Sequence, residues 1–225
     1  PVDNRLVECL NQATKSTLEE IDGARVAYLQ SDEISILLTD FTQDSTQGWF
    51  HYNKQKLESV IASMFTAYFN KNFTELFSED IKHREKIAFF DCRSWSLPFT
   101  EVNNYFWWRQ KDCTKNSISM AAQSVYSHTE LEGKNSNDKQ EMLFQKGINW
   151  DKYPTRYKRG GFVTRVEREM VMTDFAGIVQ HDSVVEEGDE VTKAKFRENK
   201  KTFTRHNWEH VEIPEFTKDT DFLYS

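Results

Sequence analysis

The chain has 225 residues, with 29 Lys and Arg against 36 Asp and Glu and a formal net charge of −7. Hydrophobic residues make up 38% and aromatic residues 14%, which is enough for a sizeable core and excludes a disordered chain. Three cysteines without a CxxC pair argue against a disulfide framework or zinc site and favour the cytoplasm. No apolar run approaches the roughly 20 residues of a membrane helix, so we expect no membrane association. The acidic balance argues against indiscriminate nucleic-acid binding but is compatible with a local basic patch.

The first part of the chain predicts a helix, a hairpin and a second helix. Apolar residues at helical spacing predict a helix over 4–20, with Gly23 as its stop. Two short apolar runs, 25–29 and 34–38, flank a few polar residues and predict a β-hairpin with an acidic tip. The clearest helical pattern in the chain covers 53–70.

The middle of the chain predicts one strand and two more helices. The short apolar run 86–90 predicts a buried strand. A long helical pattern covers 101–126. A polar break at 133–138 separates it from a short helix predicted at 139–146.

The last part of the chain differs in charge from the rest. We predict a strand at 162–172, followed by an acidic stretch, 175–191, that has no Lys or Arg, and a basic stretch, 192–205. This pattern predicts a β-hairpin with an acidic connection. We therefore divide the chain into a main α/β region, 1–150, and a smaller basic extension, 151–225.

The hairpin tip is the first candidate site. Ser31, Asp32 and Glu33 place two adjacent carboxylates between short strands. Such carboxylates can hold Mg²⁺ together with substrate phosphates, and acids on a hairpin serve two-metal nucleotidyl transfer. The alternative is an ordinary solvated turn, since these residue types are common in loops.

The start of the helix predicted at 53–70 is the second candidate site. Asn53, Lys54 and Lys56 lie where free N–H groups and the helix dipole attract phosphate. Lysines oppose the dipole at this position, which indicates an anionic ligand. The alternative is a solvent-facing first turn that Asn53 caps.

A polar stripe in the long helix is the third candidate site. Its members lie three or four residues apart and share one face: Arg109, Asp112, Asn116, Ser119 and Gln123. We expect Asp112 to hold Arg109 in place within the helix. The alternative is an exposed face with an intrahelical ion pair, but the apolar residues around it favour partial burial, and buried polar groups need partners.

A basic run is the fourth candidate site. Arg156, Lys158 and Arg159 stand beside Tyr157 and two glycines, a combination that suits a nucleic-acid backbone or a triphosphate. The alternative is a charged turn that precedes a strand.

Two further groups predict no site. His206 and His210 have no third ligand nearby in sequence, so we interpret them as structural, with Trp208 between them as packing. Cys92 and Cys113 have no flanking histidine, so nucleophilic catalysis has little support.

Taken in chain order, these segments resemble the motifs of one family. They are YLQSDEIS (28–35), NKQK (53–56), FDCR (90–93), WRQKDC (108–113) with NSIS (116–119), GIN (147–149) and KRG (158–160). The chain resembles the tRNA-His guanylyltransferase superfamily over nearly its whole length. The NSIS variant is most similar to its guanylyltransferase-like, tRNA-repair branch.

The resemblance implies a palm-like, ferredoxin-like α+β fold related to polymerases and nucleotide cyclases, with a small C-terminal extension that contains a β-hairpin. It implies a reverse polymerase, which adds nucleotides to the 5′ end of tRNA in the 3′-to-5′ direction after a nucleoside triphosphate, ATP or GTP, activates the 5′ phosphate. It also implies two Mg²⁺ ions and a homotetramer. Phosphoryl transfer of this kind depends on positioning and charge neutralisation more than on covalent chemistry.

The resemblance also implies roles for individual residues. Asp32 would ligate the metal, with Glu33 supporting catalysis beside it. The implied nucleotide-binding residues are Ser31, Asn53, Lys54, Lys56, Arg93, Arg109, Asp112 and Asn116. The implied tRNA-binding residues are Arg156, Lys158 and Arg159.

One departure from the family pattern leaves alternatives open. The family opens with a strand that carries an RxDGRxF-type motif and the other metal-bridging Asp. The chain starts, at Pro1, with residues similar to the segment after that strand, and Asp22–Gly23 lies in the wrong place to replace it. We expect this strand to be absent from the 225 residues. One alternative is a degraded relative, a non-catalytic tRNA- or nucleotide-binding module, which the missing strand suggests. Another is a nucleotide cyclase-like enzyme, because such palms also carry acids on a hairpin.

Overall fold

The computed structural model describes residues 3–39, 47–173, 177–180 and 201–217. Helices and antiparallel strands are mixed along the chain, which confirms the predicted α+β class. The chain forms two compact units, a larger one from Pro1–Thr164 with His210–Ser225 and a smaller one from Arg165–Glu209. This division falls at residues other than the predicted domain boundary near residue 150, which stays a prediction.

The larger unit is built around strand β1 (Ala24–Gln30). This strand pairs antiparallel with β2 (Glu33–Leu38) on one side and with the first residues of β3 (Gly161–Thr173) on the other. The predicted hairpin is confirmed, and its turn has only two residues. Because β1 lies between two partners, it is buried along nearly its whole length.

Two helices precede and follow the hairpin, and they pack against each other. Helix α1 (Asn4–Glu19) begins at Asp3, whose side chain caps it, and α2 (Lys54–Leu76) extends beyond its predicted end. Both predicted helices are confirmed. Gly23 is not the stop of α1 as predicted, because the helix already ends with Glu20 as its C-cap. The glycine instead adopts a φ of 78° in the turn before β1.

The predicted buried strand at 86–90 is wrong. These residues belong to no strand in the described part of the chain. A helix side chain takes the place of a neighbouring strand: Asn70 of α2 donates to the carbonyl of Ala88 at 2.8 Å and accepts from its N–H at 2.9 Å. Ile87 and Phe89 point away and are 68% and 85% exposed. Only alternate side chains are covered, so the apolar run does not mean burial.

Helix α3 (Phe99–Gln123) confirms the predicted long helix and carries much of the core. The main core cluster joins side chains of β1, α3, β3 and the chain after residue 211: Val26, Tyr28, Val102, Phe106, Cys113, Phe162, Ile213 and Phe216. Residues 212–217, which follow the last strand, form neither helix nor strand. They nevertheless supply two of the buried core residues.

Two short helices follow α3. They are α4 (His128–Leu131), which the sequence did not predict, and α5 (Ser136–Gln145), which confirms the helix predicted at 139–146. Helix α5 begins earlier than predicted because Asn135 and Asp138 form a reciprocal capping box. Among the helices of the described residues, none is both long and apolar enough to cross a bilayer.

The smaller unit contains the rest of β3, which confirms the strand predicted at 162–172. Strand β4 (Gly177–Gln180) pairs antiparallel with β3, and β5 (Lys201–Val211) also pairs with β3. Most of the predicted acidic stretch, 175–191, and of the basic stretch, 192–205, lies outside the described residues.

Candidate functional site

The acidic hairpin tip is a two-residue turn made by Ser31 and Asp32. Gln30 and Glu33 form the last cross-strand pair before it. Ser31 adopts a φ of 53°, the positive value that two-residue hairpin turns need at their first position and that few residues other than glycine adopt. Ser31, Asp32 and Glu33 are all exposed. The turn therefore presents the Asp32 carboxylate to solvent.

The long helix reaches this tip through Arg109. The guanidinium of Arg109 forms an ion pair with the carboxylate of Glu33. The arginine side chain is only 13% exposed, whereas that of Glu33 is 62% exposed. The sequence predicted that Asp112 holds Arg109 within the helix, but the structure pairs Arg109 with the hairpin instead. This contact fixes the tip relative to α3.

Asp112 is the centre of a second set of contacts between the hairpin and α3. Its Oδ2 accepts a hydrogen bond from Nε2 of Gln30 at 3.0 Å and another from Nδ2 of Asn116 at 3.2 Å. The structure thus brings Asp112 and Asn116, both predicted site residues, together with Gln30, which is 6% exposed. Sequence reasoning missed Gln30 as a site residue. Its only signal was its position next to the predicted tip.

Helix α3 turns this polar face to the hairpin because other polar residues of the helix bind the C-terminal segment. Gln110 donates to the carbonyl of Pro214 at 2.9 Å and accepts from the N–H of Phe216 at 2.7 Å. Asn103 donates to the carbonyl of Thr217 at 3.1 Å. Both side chains are buried, where polar groups need such partners. These bonds fix the rotation of α3 about its own axis.

The start of α2 combines a structural cap with exposed cations. The Oδ1 of Asn53 accepts from the N–H of Lys56 at 3.1 Å, so Asn53 is the N-cap, which was the alternative interpretation of this residue. Lys54 and Lys56 are exposed, and the ammonium of Lys56 lies 4.3 Å from the ring centroid of Phe50. The predicted positive charge is therefore present at the helix N-terminus.

Arg93 lies near the same end of α2 because Glu58 holds the neighbouring Ser94. A carboxylate oxygen of Glu58 accepts from both the hydroxyl and the N–H of Ser94 at 2.7 Å. These bonds lower the pKa of Glu58, and Lys54, one turn earlier in the helix, lowers it further. The side chain of Arg93 is 83% exposed and pairs with Asp91 at 3.0 Å. The structure thus bonds the chain next to Arg93 to the second turn of α2, the helix that begins with Lys54.

The predicted basic run lies in a short helix, α6 (Thr155–Arg159). Its cations are Arg156, Lys158 and Arg159. Lys158 is 8% exposed, and its ammonium donates to the carbonyl of Asp151 at 2.5 Å. The guanidinium of Arg159 pairs with Glu215 at 2.9 Å. Two of the three cations thus have partners within the chain, and contact of this run with tRNA stays a prediction.

Tyr28 connects α6 to β1 and α3. Its hydroxyl donates to the carbonyl of Arg159 at 2.6 Å, and its ring meets that of Phe106 edge-on, with centroids 6.4 Å apart. Burial raises the pKa of the Tyr28 hydroxyl, so the side chain stays neutral. Gly160 follows Arg159 with a φ of 90°, which lets the chain pass close to β1. The hairpin, α3 and α6 therefore share one buried junction.

Other titratable groups of the larger unit favour a structural role. Burial raises the pKa of Cys92 and of Cys113, which opposes formation of a reactive thiolate. Burial also lowers the pKa of His210 to about 4, so its imidazole is neutral near pH 7.

The carboxylates near the hairpin tip are the residues that the sequence predicted to hold a metal ion. Within the described ranges, no three His, Cys, Asp or Glu side chains gather into a group able to hold a metal ion. Glu33 is paired with Arg109, and Asp112 is hydrogen-bonded to its neighbours. Mg²⁺ is often held by one or two carboxylates together with substrate phosphates. Asp32 fits as one such ligand, but the described residues do not complete a two-ion site.

Two family models together match nearly the whole chain. The model described as tRNAHis guanylyltransferase matches residues 1–98, and that of the Thg1 C-terminal domain matches residues 100–214. The tRNA(His) guanylyltransferase of Neurospora crassa is 32% identical over 177 residues, which cover 73% of this chain and 59% of that relative. The enzyme of the same name from Kluyveromyces lactis is 28% identical over 204 residues, with 85% and 80% covered. The chain thus spans less than two thirds of the first relative's length.

Solved structures with the same fold include two bacterial Thg1-like proteins. One, in complex with ATP, has a TM-score of 0.69 and 43% identity, and the match covers 74% of this chain and 70% of that chain. The other, in complex with GTP, has a TM-score of 0.65 and 33% identity, with 97% and 75% covered. The enzyme of Saccharomyces cerevisiae has a TM-score of 0.63 and 26% identity, with 84% and 82% covered. The motifs, the fold and these matches agree, and the chain belongs to the tRNA(His) guanylyltransferase family.

Proposed function

We propose that the protein adds nucleotides to the 5′ end of tRNA in the 3′-to-5′ direction, after a nucleoside triphosphate has activated the 5′ phosphate. The observation that supports this proposal most directly is the set of contacts between the acidic hairpin tip and α3. Glu33 pairs with Arg109, and Gln30 is hydrogen-bonded to Asp112. These contacts occur in a chain whose relatives are named tRNA(His) guanylyltransferase. Related structures in complex with ATP and with GTP support these triphosphates as substrates.

The triphosphate binds, in this proposal, at the start of α2. Lys54 lies in the first turn of this helix, where backbone N–H groups and the helix dipole add to its positive charge. Lys56 lies in the same first turn. Arg93 precedes Ser94, which Glu58 of the second turn binds. Phosphoryl transfer needs the charge of the phosphates to be neutralised and the reacting groups to be held in place. These exposed cations can supply the first requirement.

Asp32 is the proposed ligand for a Mg²⁺ ion that accompanies the triphosphate. Its carboxylate is exposed at the turn, beside the contacts that fix the hairpin. The ion, when bound, would neutralise phosphate charge. Glu33 supports the site indirectly, because its carboxylate is held by Arg109 and keeps the turn oriented.

The polar face of α3 supplies the second requirement, positioning. Arg109 and Asp112 have fixed partners on the hairpin, and Asn116 is exposed next to them. We assign to these three residues the ordering of the nucleotide or of the tRNA 5′ end. Groups held by such networks lose little freedom during the reaction, which favours reactive geometry.

The remaining parts of the proposal concern partners and location. Arg156 and Arg159 contact tRNA phosphates, and Arg159 does so by exchanging its partner Glu215 for phosphate. Lys158 is buried against Asp151 and supports this short helix from within. The protein acts as a homotetramer in the cytoplasm. The three free cysteines support a reducing compartment.

The test is an addition assay with the full-length protein as it is encoded. The substrate is a tRNA that lacks its first nucleotide and carries a labelled 5′ phosphate, supplied with ATP and GTP. We expect a product longer by one nucleotide at its 5′ end, formed only when Mg²⁺ is present. Binding of tRNA without extension would instead indicate a non-catalytic module. A cyclic nucleotide formed from triphosphate without RNA would indicate a cyclase.

A further inference from the structure

One exposed stripe of α3 lies beside the polar contacts but takes no part in them. Trp108, Lys111 and Lys115 are spaced three and four residues apart and share one exposed face. Ser119 lies one turn beyond Lys115 on the same side and accepts a hydrogen bond from the ammonium of Lys139, of α5, at 3.1 Å. We call Trp108, Lys111, Lys115 and Lys139 the α3 stripe.

Three aromatic rings stand at the hairpin end of this stripe. The ring centroids of Trp95 and Tyr105 are 5.5 Å apart, and those of Tyr105 and Trp108 are 6.1 Å apart. The hydroxyls of Tyr105 and Ser35, which lies in β2, are hydrogen-bonded at 2.8 Å. We call Trp95, Tyr105 and Trp108 the aromatic ledge. The ledge is thus attached to the same hairpin that carries the acidic tip.

The ledge leaves two large rings uncovered. Trp95 is 54% exposed and Trp108 is 56% exposed. Rotation of α3 cannot bury Trp108, because Phe106 on the opposite side is 2% exposed in the core and Gln110 is bonded to the C-terminal segment. A fixed cluster of exposed tryptophans is a feature of binding surfaces rather than of ordinary solvent-facing helices.

The charges around the ledge indicate what binds there. The chain carries a net charge of −7, yet this stripe has three lysines and the neighbouring Arg109. The ammonium of Lys111 lies 3.7 Å from the ring centroid of Trp107, which holds it at the helix surface. Flat aromatic faces next to ammonium groups suit single-stranded nucleic acid, whose bases stack while its phosphates pair with cations. A second copy of the chain fits less well, because the centres of protein interfaces are depleted in lysine.

The length of the surface favours a strand over one free nucleotide. Helix α3 rises about 16 Å between Trp108 and Ser119, at 1.5 Å per residue. Several stacked nucleotides, at about 3.4 Å each, cover such a distance. We propose that the aromatic ledge and the α3 stripe bind unpaired nucleotides of the RNA substrate, with a base stacked on Trp108 and phosphates on Lys111 and Lys115. This inference rests on the proposed function.

The aromatic ledge lies next to the proposed site of nucleotide transfer. The guanidinium carbon of Arg109 lies 5.2 Å from the centroid of the Trp108 ring, and Arg109 is paired with Glu33 at the hairpin tip. A strand stacked on Trp108 therefore has its next nucleotide at the proposed site of transfer. The ledge holds the end of the RNA at the acidic tip.

The test measures binding of a fluorescein-labelled single-stranded RNA to the full-length protein by fluorescence anisotropy. We expect Trp108→Ala to weaken this binding about tenfold, the loss of one base stack, and Trp108→Tyr to retain most of it. Phe144→Ala is the matched control, since Phe144 is 64% exposed on α5 and outside the ledge. GTP binding, measured by calorimetry, should be the same in all four proteins.

Two outcomes separate this inference from the proposed function. If the wild-type protein extends tRNA and Trp108→Ala binds RNA as tightly as the wild type, the ledge is not an RNA site. The same conclusion follows if Trp108→Ala loses RNA binding only because the assembly dissociates, as shown by light scattering. If the wild type binds RNA through Trp108 but adds no nucleotide, the proposed function is wrong and the binding site stands.

Discussion

The guanidinium of Arg109, in the long helix α3, is paired with the carboxylate of Glu33 at the tip of the β1–β2 hairpin. These residues lie far apart in the sequence, and the pair connects the two elements that carry most of the predicted site. The hairpin turn itself contains only two residues, so its orientation depends on what surrounds it. We therefore expect the pair to act on catalysis through position.

Exchanging the two charges tests this role. Arg109→Ala should lower nucleotide addition at least tenfold, because the hairpin tip loses its anchor, while the free energy of unfolding falls by only about 1 kcal/mol for a partly exposed pair. Combining Arg109→Glu with Glu33→Arg should restore part of the activity that each single change removes. The cycle consists of the wild type, Arg109→Glu, Glu33→Arg and the double variant, each measured by addition assays and by denaturant unfolding. A double variant as inactive as the singles would show that the Arg109–Glu33 pair does not act through the position of the hairpin.

The exposed carboxylate of the turn should be needed for chemistry and not for folding. Asp32→Ala should abolish addition to tRNA and change the free energy of unfolding by less than about 0.5 kcal/mol, as is usual for exposed positions. Asp22→Ala is the control, since Asp22 is also exposed near the hairpin but is not part of the proposed site. Normal extension of tRNA by Asp32→Ala would remove Asp32 from the site.

Gln110 should matter for stability because it fixes the rotation of α3. Gln110→Met keeps most of the volume but removes the bonds to Pro214 and Phe216, so we expect a loss of about 1–3 kcal/mol in the free energy of unfolding. Gln123→Met, at an exposed position of the same helix, should be neutral. Equal unfolding midpoints in urea for these two variants would contradict the role of Gln110.

The close approach of Gly160 to β1 should make this glycine hard to replace. A Cβ at this position would lie 2.4 Å from the carbonyl oxygen of Leu29 and 2.8 Å from the hydroxyl of Tyr28, at a φ of 90°. We expect Gly160→Ala to cost about 2–4 kcal/mol, from backbone strain and overpacking together. Gly133→Ala separates the two causes, since its φ is 72° but no atom lies within 4 Å, so it should cost about 1 kcal/mol. Equal losses of stability in Gly160→Ala and Gly133→Ala, measured by thermal unfolding, would show that the structure avoids the close contact of the new Cβ with Leu29 and Tyr28.

The buried imidazole of His210 should make the fold sensitive to mild acid. Burial lowers its pKa to about 4, and the charges of Arg156 and Lys15 contribute. The unfolded chain, with a histidine pKa of about 6.5, binds the proton more readily, so the stabilisation is present above that pH and is lost as pH falls from about 6.5 to 4. In His210→Gln this part of the pH dependence should disappear. Parallel stability curves for the wild type and the variant over this range would contradict the prediction.

Local pattern was enough to predict most of the elements. Helix α2 and the hairpin follow from apolar spacing and from the polar break between two short runs, and Asn53 marks the start of α2. These features depend on neighbours within a few residues, which is why the sequence shows them. The motifs at the tip and along α3 were likewise visible as residue types in order.

Pairing between distant elements was not visible. The run at 86–90 has the composition of a strand, but its backbone is bonded by Asn70 of α2, and no local pattern reveals that partner. The partner of Lys158 was not visible in the sequence either. The basic run predicted that Lys158 contacts phosphate, but its side chain is buried and bonded to Asp151. A basic residue type in the sequence does not show whether its side chain already has a partner within the fold.

The acidic turn, the cationic start of α2 and the order of polar residues along α3 were predictable from the residues alone, because they depend on local backbone periodicity and residue chemistry. The pairing of Arg109 with Glu33 rather than with Asp112, and the exposure of Trp108, Lys111 and Lys115, depend instead on packing between distant elements. Both follow from the rotation of α3, which is set by buried bonds of Gln110 to a segment about a hundred residues later. The net charge of −7 likewise does not reveal the local patch in which the fold places cations next to exposed aromatic rings.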